Sequence, residues 1–156
     1  MKMLETMHSN QHWLEVIQRT PLVSIDLILR DEQGRVLLGL RSNRPAQNTW
    51  FVPGGVIRKN ETLDQAYARI AKTELDLELS REQASFRGVY QHFYEDNFAG
   101  EPNIPTHYVV LAYEFTIQGL KPQGPLDQHR ALRLCTPAQL LADETTHENT
   151  KAYFRQ

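Results

Sequence analysis

The chain has 156 residues, 40% of them hydrophobic and 23% charged, with a formal charge of −2; this is the make-up of one globular domain with a proper core. So balanced a charge excludes the clustered basic field on which nucleic-acid binding rests, and no run approaches the ~18 consecutive apolar residues of a membrane-spanning helix. Met1 to Asn10 is polar and without the apolar stretch of a secretory leader, and there is one cysteine, Cys135. The expectation is a cytoplasmic protein that meets neither membrane nor nucleic acid and buries its lone thiol in a strand.

In chain order, residues 10–18 predict a short helix with Trp13, Val16 and Ile17 on one side. Residues 21–30 alternate, with Val23, Ile25, Leu27 and Leu29 on one face and Ser24 and Asp26 on the other, as a half-buried strand would. Asp31-Glu32-Gln33-Gly34 supplies a turn and residues 36–41 the returning strand. A loop at 45–49, a short apolar strand at 50–52 and the break Pro53-Gly54-Gly55 follow. The next helix has Asn60 as its cap, Glu61 and Asp64 at its positive end, and an apolar stripe of Leu63, Ala66, Tyr67, Ile70 and Ala71. Strands at 86–94 and 106–117 are joined by the loop NFAGEPNIP; a further strand at 132–135 and short helices at 137–142 and 148–154 finish the chain. With no repeat and no linker, residues 1–156 make a single α/β domain, a sandwich around a mixed sheet.

Arg30, Arg35, Arg41 and Arg44 lie close enough in sequence to serve one small phosphorylated ligand, or simply a solvated surface. From Gly55 the chain reads GVIRKNETLDQAYARIAKTELDL, and Gly55, Glu61, Arg69 and Glu74 fall at the spacing of the Nudix box, which the segment resembles. In that family the box is a loop, helix and loop that holds a divalent metal against a diphosphate. Three positions depart: Ile70 and Thr73 stand where the box has glutamates, and Asp76 where it has its second glycine. Two missing carboxylates reduce the metals that can bind and remove the usual base from the helix.

The rest of the chain is similar to one Nudix branch, the GDP-mannose mannosyl hydrolases, through TPLVSID, RSNRPAQ, WFVPGG, QHFYEDNFAG, THYVVL, the dyad Gln128-His129 and KAYF at 151–154. That branch lacks the same glutamates. The resemblance implies a Nudix-type α/β/α sandwich around a mixed β-sheet. It also implies magnesium-dependent hydrolysis (manganese able to substitute) of a nucleotide sugar, GDP-mannose or a close GDP-hexose: water attacks the anomeric carbon, the configuration inverts and GDP leaves. By the same resemblance the side chains of Glu74 and Gln128 and the carbonyl of Gly54 are the metal ligands, His129 is the general base and Arg41 contacts the diphosphate. Arg69 either orients carboxylates or forms a surface ion pair. Asp26 holds the sugar or its partner arginine, or is an outward-facing strand residue. His92 and Tyr108 either line the pocket or sit at the core edge, and Trp13 either stacks on the nucleobase or anchors its helix. The branch commonly carries an arginine where this chain has Val56, which implies either a lower activity or substitution by Arg58 through a different route. A homodimer, with the segment at about 1–19 reaching its partner, completes the expectation.

Overall fold

In the computed structural model, residues 10–125 and 129–155 are described, the side chain of Arg130 excepted. They comprise helix α1 (Asn10–Arg19), strands β1 (Leu22–Arg30), β2 (Val36–Arg41), β3 (Trp50–Phe51) and β4 (Gly54–Val56), helix α2 (Leu63–Leu75), strands β5 (Ser85–Tyr94), β6 (Thr106–Thr116) and β7 (His129–Cys135), and helices α3 (Pro137–Ala142) and α4 (Glu148–Lys151). The strands form one mixed sheet in the order β3-β2-β1-β6-β5, with β4 also paired to β1 and β7 to β2. Among the described strands β1 and β6 run parallel, in register from Leu22 opposite Tyr108 to Arg30 opposite Thr116, and the other strand pairs are antiparallel; an isolated parallel bridge joins Trp50 to Thr146.

The sheet is covered on both sides, as the expected α/β/α sandwich requires. One core packs Ile25, Leu27 and Leu29 against Tyr67, Ile70 and Leu75 of α2. The other packs Ile28, Val36, Leu38 and Val52 against Leu140 of α3 and Tyr153 beyond α4. β1 is therefore not half-buried: Ser24, Asp26 and Ile28 are as enclosed as their neighbours, and Val23 is the exposed residue at 42%. Alternation in sequence reads one covered face, but a central strand has two.

Helix α2 begins two residues later than Asn60 suggested. Its cap is Thr62, whose hydroxyl accepts from the Gln65 N–H while the Gln65 side chain accepts from the Thr62 N–H, a reciprocal capping box. Asn60 instead occupies a left-handed turn at φ 70°. The helix ends on Asp76 at φ 55°, ψ 36°, the conformation for which a glycine is usual and which aspartate tolerates better than most residues. The departure at this box position thus leaves the local fold intact. The last helix is shorter than expected: after Lys151 the chain tightens into i→i+3 bonds, Tyr153 N–H to Thr150 O (3.1 Å) and Phe154 N–H to Lys151 O (2.9 Å), and this turn swings Tyr153 inward.

Candidate active site

A cleft at one end of the sheet is lined by Asp26 of β1, Arg41 of β2, Gly54 of β4, Arg69 and Glu74 of α2, His92 of β5, Tyr108 of β6 and His129 of β7. Eight of the ten expected site residues thus converge from seven elements. Gln128 lies outside the described residues. Trp13 does not reach the cleft; it is buried with Ile17 and Leu22, packed against Val56, Phe98 and Tyr108, and so anchors α1 behind the cleft wall.

The floor follows from strand alternation. Leu27 N–H donates to Pro53 O and Ile57 N–H to Val23 O, both at 2.8 Å. The intervening Gly54 and Val56, opposite Asp26 and Ser24, therefore turn their carbonyls away from β1. That of Val56 accepts from Arg69 Nη2 at 2.8 Å. The same guanidinium grips both oxygens of Glu61, whose Oε1 also accepts from the Arg58 N–H at 2.7 Å. Held first by Arg69, the Glu61 carboxyl lies below the usual range. Arg69 and Glu61 thus tie the incoming loop to α2, a positioning role for a charge already matched by its partner.

Glu74, on the last turn of α2, is 8% exposed and opens on the same cleft as Gly54. At the two altered box positions, Thr73 lines the cleft, whereas Ile70 is in the core at 1% exposure and packs on the bare Cα of Gly55. Among the described residues no three His, Cys, Asp or Glu side chains gather as a metal centre. The donors that fit a hard cation here are mixed oxygens: the Glu74 carboxylate and the Gly54 carbonyl turned out of the sheet.

His129 opens β7, opposite Arg41, beyond a register shift at Leu40/Arg41. The strand starts three residues earlier than expected because its pairing with β2 continues past this irregularity. The ring lies over Gly39, in the space a side chain there would fill. Burial, reinforced by the Arg41 charge, pushes its pKa down to about 4, so the imidazole is neutral at pH 7. Arg41 Nε donates to Pro45 O at 2.9 Å; burial, with a smaller contribution from the guanidinium, opposes proton uptake by His147.

Asp26, 9% exposed, accepts a hydrogen bond from Tyr153 Oη at 2.6 Å, and that hydroxyl lies 3.4 Å from His92 Nε2. Burial raises the Asp26 pKa to about 7 against the lowering effects of Tyr153 and Arg41, and burial lowers that of His92 to about 4. Tyr108 is opposite His92 in the β5–β6 register and meets Tyr94 edge-on at 5.9 Å; burial pushes its hydroxyl upward. Sequence reasoning missed Tyr153, Tyr94 and Phe51. Tyr153 lay within a segment of the family resemblance, but nothing local marks an aromatic residue as the partner of an acid 127 positions away.

Residues 20–156 match the NUDIX domain family, and the chain belongs to it; membership supports hydrolase activity in general, and hydrolases of the family generally use divalent metals such as Mg2+ or Mn2+. A relative from Haloferax volcanii, the low-salt glycan biosynthesis protein Agl8, is 43% identical over 108 residues, covering 69% of this chain and 67% of that protein. Solved structures share the fold, among them the following two. One is a MutT NUDIX hydrolase from Burkholderia pseudomallei (TM-score 0.68, 23% identity, 87% of this chain and 97% of that one). The other is the NUDIX domain of Shewanella oneidensis NrtR in complex with ADP ribose (TM-score 0.65, 18% identity, 94% and 96%).

Proposed function

We propose that this protein hydrolyses GDP-mannose, or a close GDP-hexose, to GDP and free sugar by attack of water at the anomeric carbon with inversion. The observation that carries this reading is that Glu74, the acid retained where Ile70 and Thr73 replace two others, shares one cleft with Arg41 and His129. One acidic ligand suits neutralisation of a departing diphosphate; activating water at phosphorus calls for more. A relative named for glycan biosynthesis is in keeping with a sugar nucleotide.

When bound, magnesium, or manganese in its place, would offset the diphosphate charge, with Glu74, Gly54 O and Gln128 as its holders. The Arg41 guanidinium would face the diphosphate oxygens, where a planar fork of donors matches two of them. The oxygen of water bonds to the anomeric carbon, the bond from that carbon to the diphosphate breaks with its electron pair passing to GDP, and the proton from water passes to the neutral imidazole of His129. Asp26 and His92, joined through Tyr153, would meet the sugar.

Hydrolysis in oxygen-18 water with magnesium tests the reading. Label in the free hexose, released first as the anomer opposite to the substrate, is the expected result. Label in a phosphate product instead means phosphoanhydride cleavage, and a chain that binds GDP-mannose without forming product is a binding module; either outcome refutes the proposal.

A further inference from the structure

We infer that Tyr153 is a positioning residue that fixes the Asp26 carboxylate so that its other oxygen is presented to a hydroxyl of the bound sugar. This rests on the reading above and names the group that orients its sugar-facing acid.

A carboxylate on a strand can turn about its last bond unless one oxygen is held. Oδ2 is held, by Tyr153 Oη at 2.6 Å. Oδ1 lies against Gly54, so close that a Cβ at that position would overlap it; the missing side chain is what leaves this oxygen room beside the cleft. A phenol has one proton to donate. Given to Asp26, it leaves lone pairs that can accept from His92 Nε2 at 3.4 Å, so that in the tautomer with its proton on Nε2 the three groups form a directed chain from His92 through Tyr153 to Asp26.

The phenol is placed independently of that bond. The Tyr153 carbonyl accepts from Arg87 Nη2 at 2.7 Å, and its ring meets Tyr90 edge-on with centroids 4.7 Å apart. One turn back, Thr150 Oγ1 accepts from the Val52 N–H at 3.4 Å. These anchors survive loss of the hydroxyl, so Tyr153→Phe keeps the ring and deletes only the contact with Asp26 and His92. If Tyr153 merely filled the core, phenylalanine would serve as well.

The test compares kcat and KM for GDP-mannose, with magnesium, in the wild type, Tyr153→Phe, Asp26→Asn and the double variant, after melting curves confirm folding. The expected result is a fall in kcat of roughly 10- to 100-fold in Tyr153→Phe, as for loss of a charge-assisted hydrogen bond, with KM changed much less. The double variant should be no slower than Asp26→Asn, because the hydroxyl acts through that carboxylate. A fluorinated tyrosine at the position, which keeps the hydroxyl, should restore most of the rate. Wild-type kcat in Tyr153→Phe, or losses that multiply in the double variant, overturn the inference alone. A wild-type enzyme that turns over no GDP-hexose overturns the functional reading, and this inference with it.

Discussion

Gly39→Ala places one methyl group where the His129 ring now lies. The new carbon would be 2.6 Å from Cγ and 2.7 Å from Cε1 of that ring, whereas carbons at optimal contact are ~3.5–4.0 Å apart, so the ring must retreat by roughly 1 Å. Gly39 is a strand residue and is not among the glycines at positive φ, so alanine fits the backbone and the three nearest obstacles are all atoms of His129. Overpacking of this kind destabilises by about 1–3 kcal/mol, which leaves a typical domain folded. The same displacement of a reacting group lowers turnover on the order of 100-fold. Release of GDP from GDP-mannose, followed in Gly39→Ala, His129→Ala and the double variant, should show the first variant folded and slow. The double variant should be no slower than His129→Ala, since the methyl has no ring left to displace. A Gly39→Ala enzyme with wild-type turnover would refute a catalytic role for His129 in this position.

Glu74→Gln should abolish most of the rise in Tm that magnesium gives the wild-type protein, leaving Tm without metal within a few degrees of the parent; an unchanged metal response would remove Glu74 from the ligand set. The neutral burial of His92 makes stability depend on pH. Its native pKa, near 4, lies below the unfolded value of ~6.5, so the unfolded chain takes up a proton first and stability falls as pH drops from ~6.5 towards 4, by about 3 kcal/mol for this residue. Asp26, raised to about 7, acts in the opposite sense over the same range. The contribution of His92 is therefore read as the difference between the wild type and His92→Gln in urea denaturation at pH 7 and pH 4, and equal pH slopes would contradict it. Ile70→Glu, which writes the missing box acid back in, should destabilise by several kcal/mol because the site is core, 1% exposed; a stable variant that gains phosphoanhydride cleavage would show that the helix can turn that position to the cleft.

Much of the fold was legible because local patterns report local structure. The spacing of Leu63, Ala66, Tyr67, Ile70 and Ala71 located α2, and all but the exposed Leu63 are buried. The cap was misplaced because Asn60 and Thr62 are both good capping residues, and the choice depends on which side chain meets the N–H of Gln65. Strand β7 was read three residues short because the residues 129–131 carry little β signal of their own, whereas pairing with β2 holds them extended.

For the site, the amino-acid sequence alone determined which chemical groups are available: the box with Gly55, Glu61, Arg69 and Glu74, the acids absent at 70 and 73, and the polar residues Asp26, Arg41, His92, Tyr108 and His129 that the family resemblance picked out. Tertiary structure decided how they are used. It matched Arg69 with Glu61, turned the Gly54 carbonyl out of the sheet, set His129 over Gly39, sent Trp13 into the packing of α1 and brought Tyr153 to Asp26. Residue types and short periods are written along the chain, but burial, pKa and hydrogen-bond partnership arise between strands far apart in sequence, and these exist only once β1 has been enclosed on both faces.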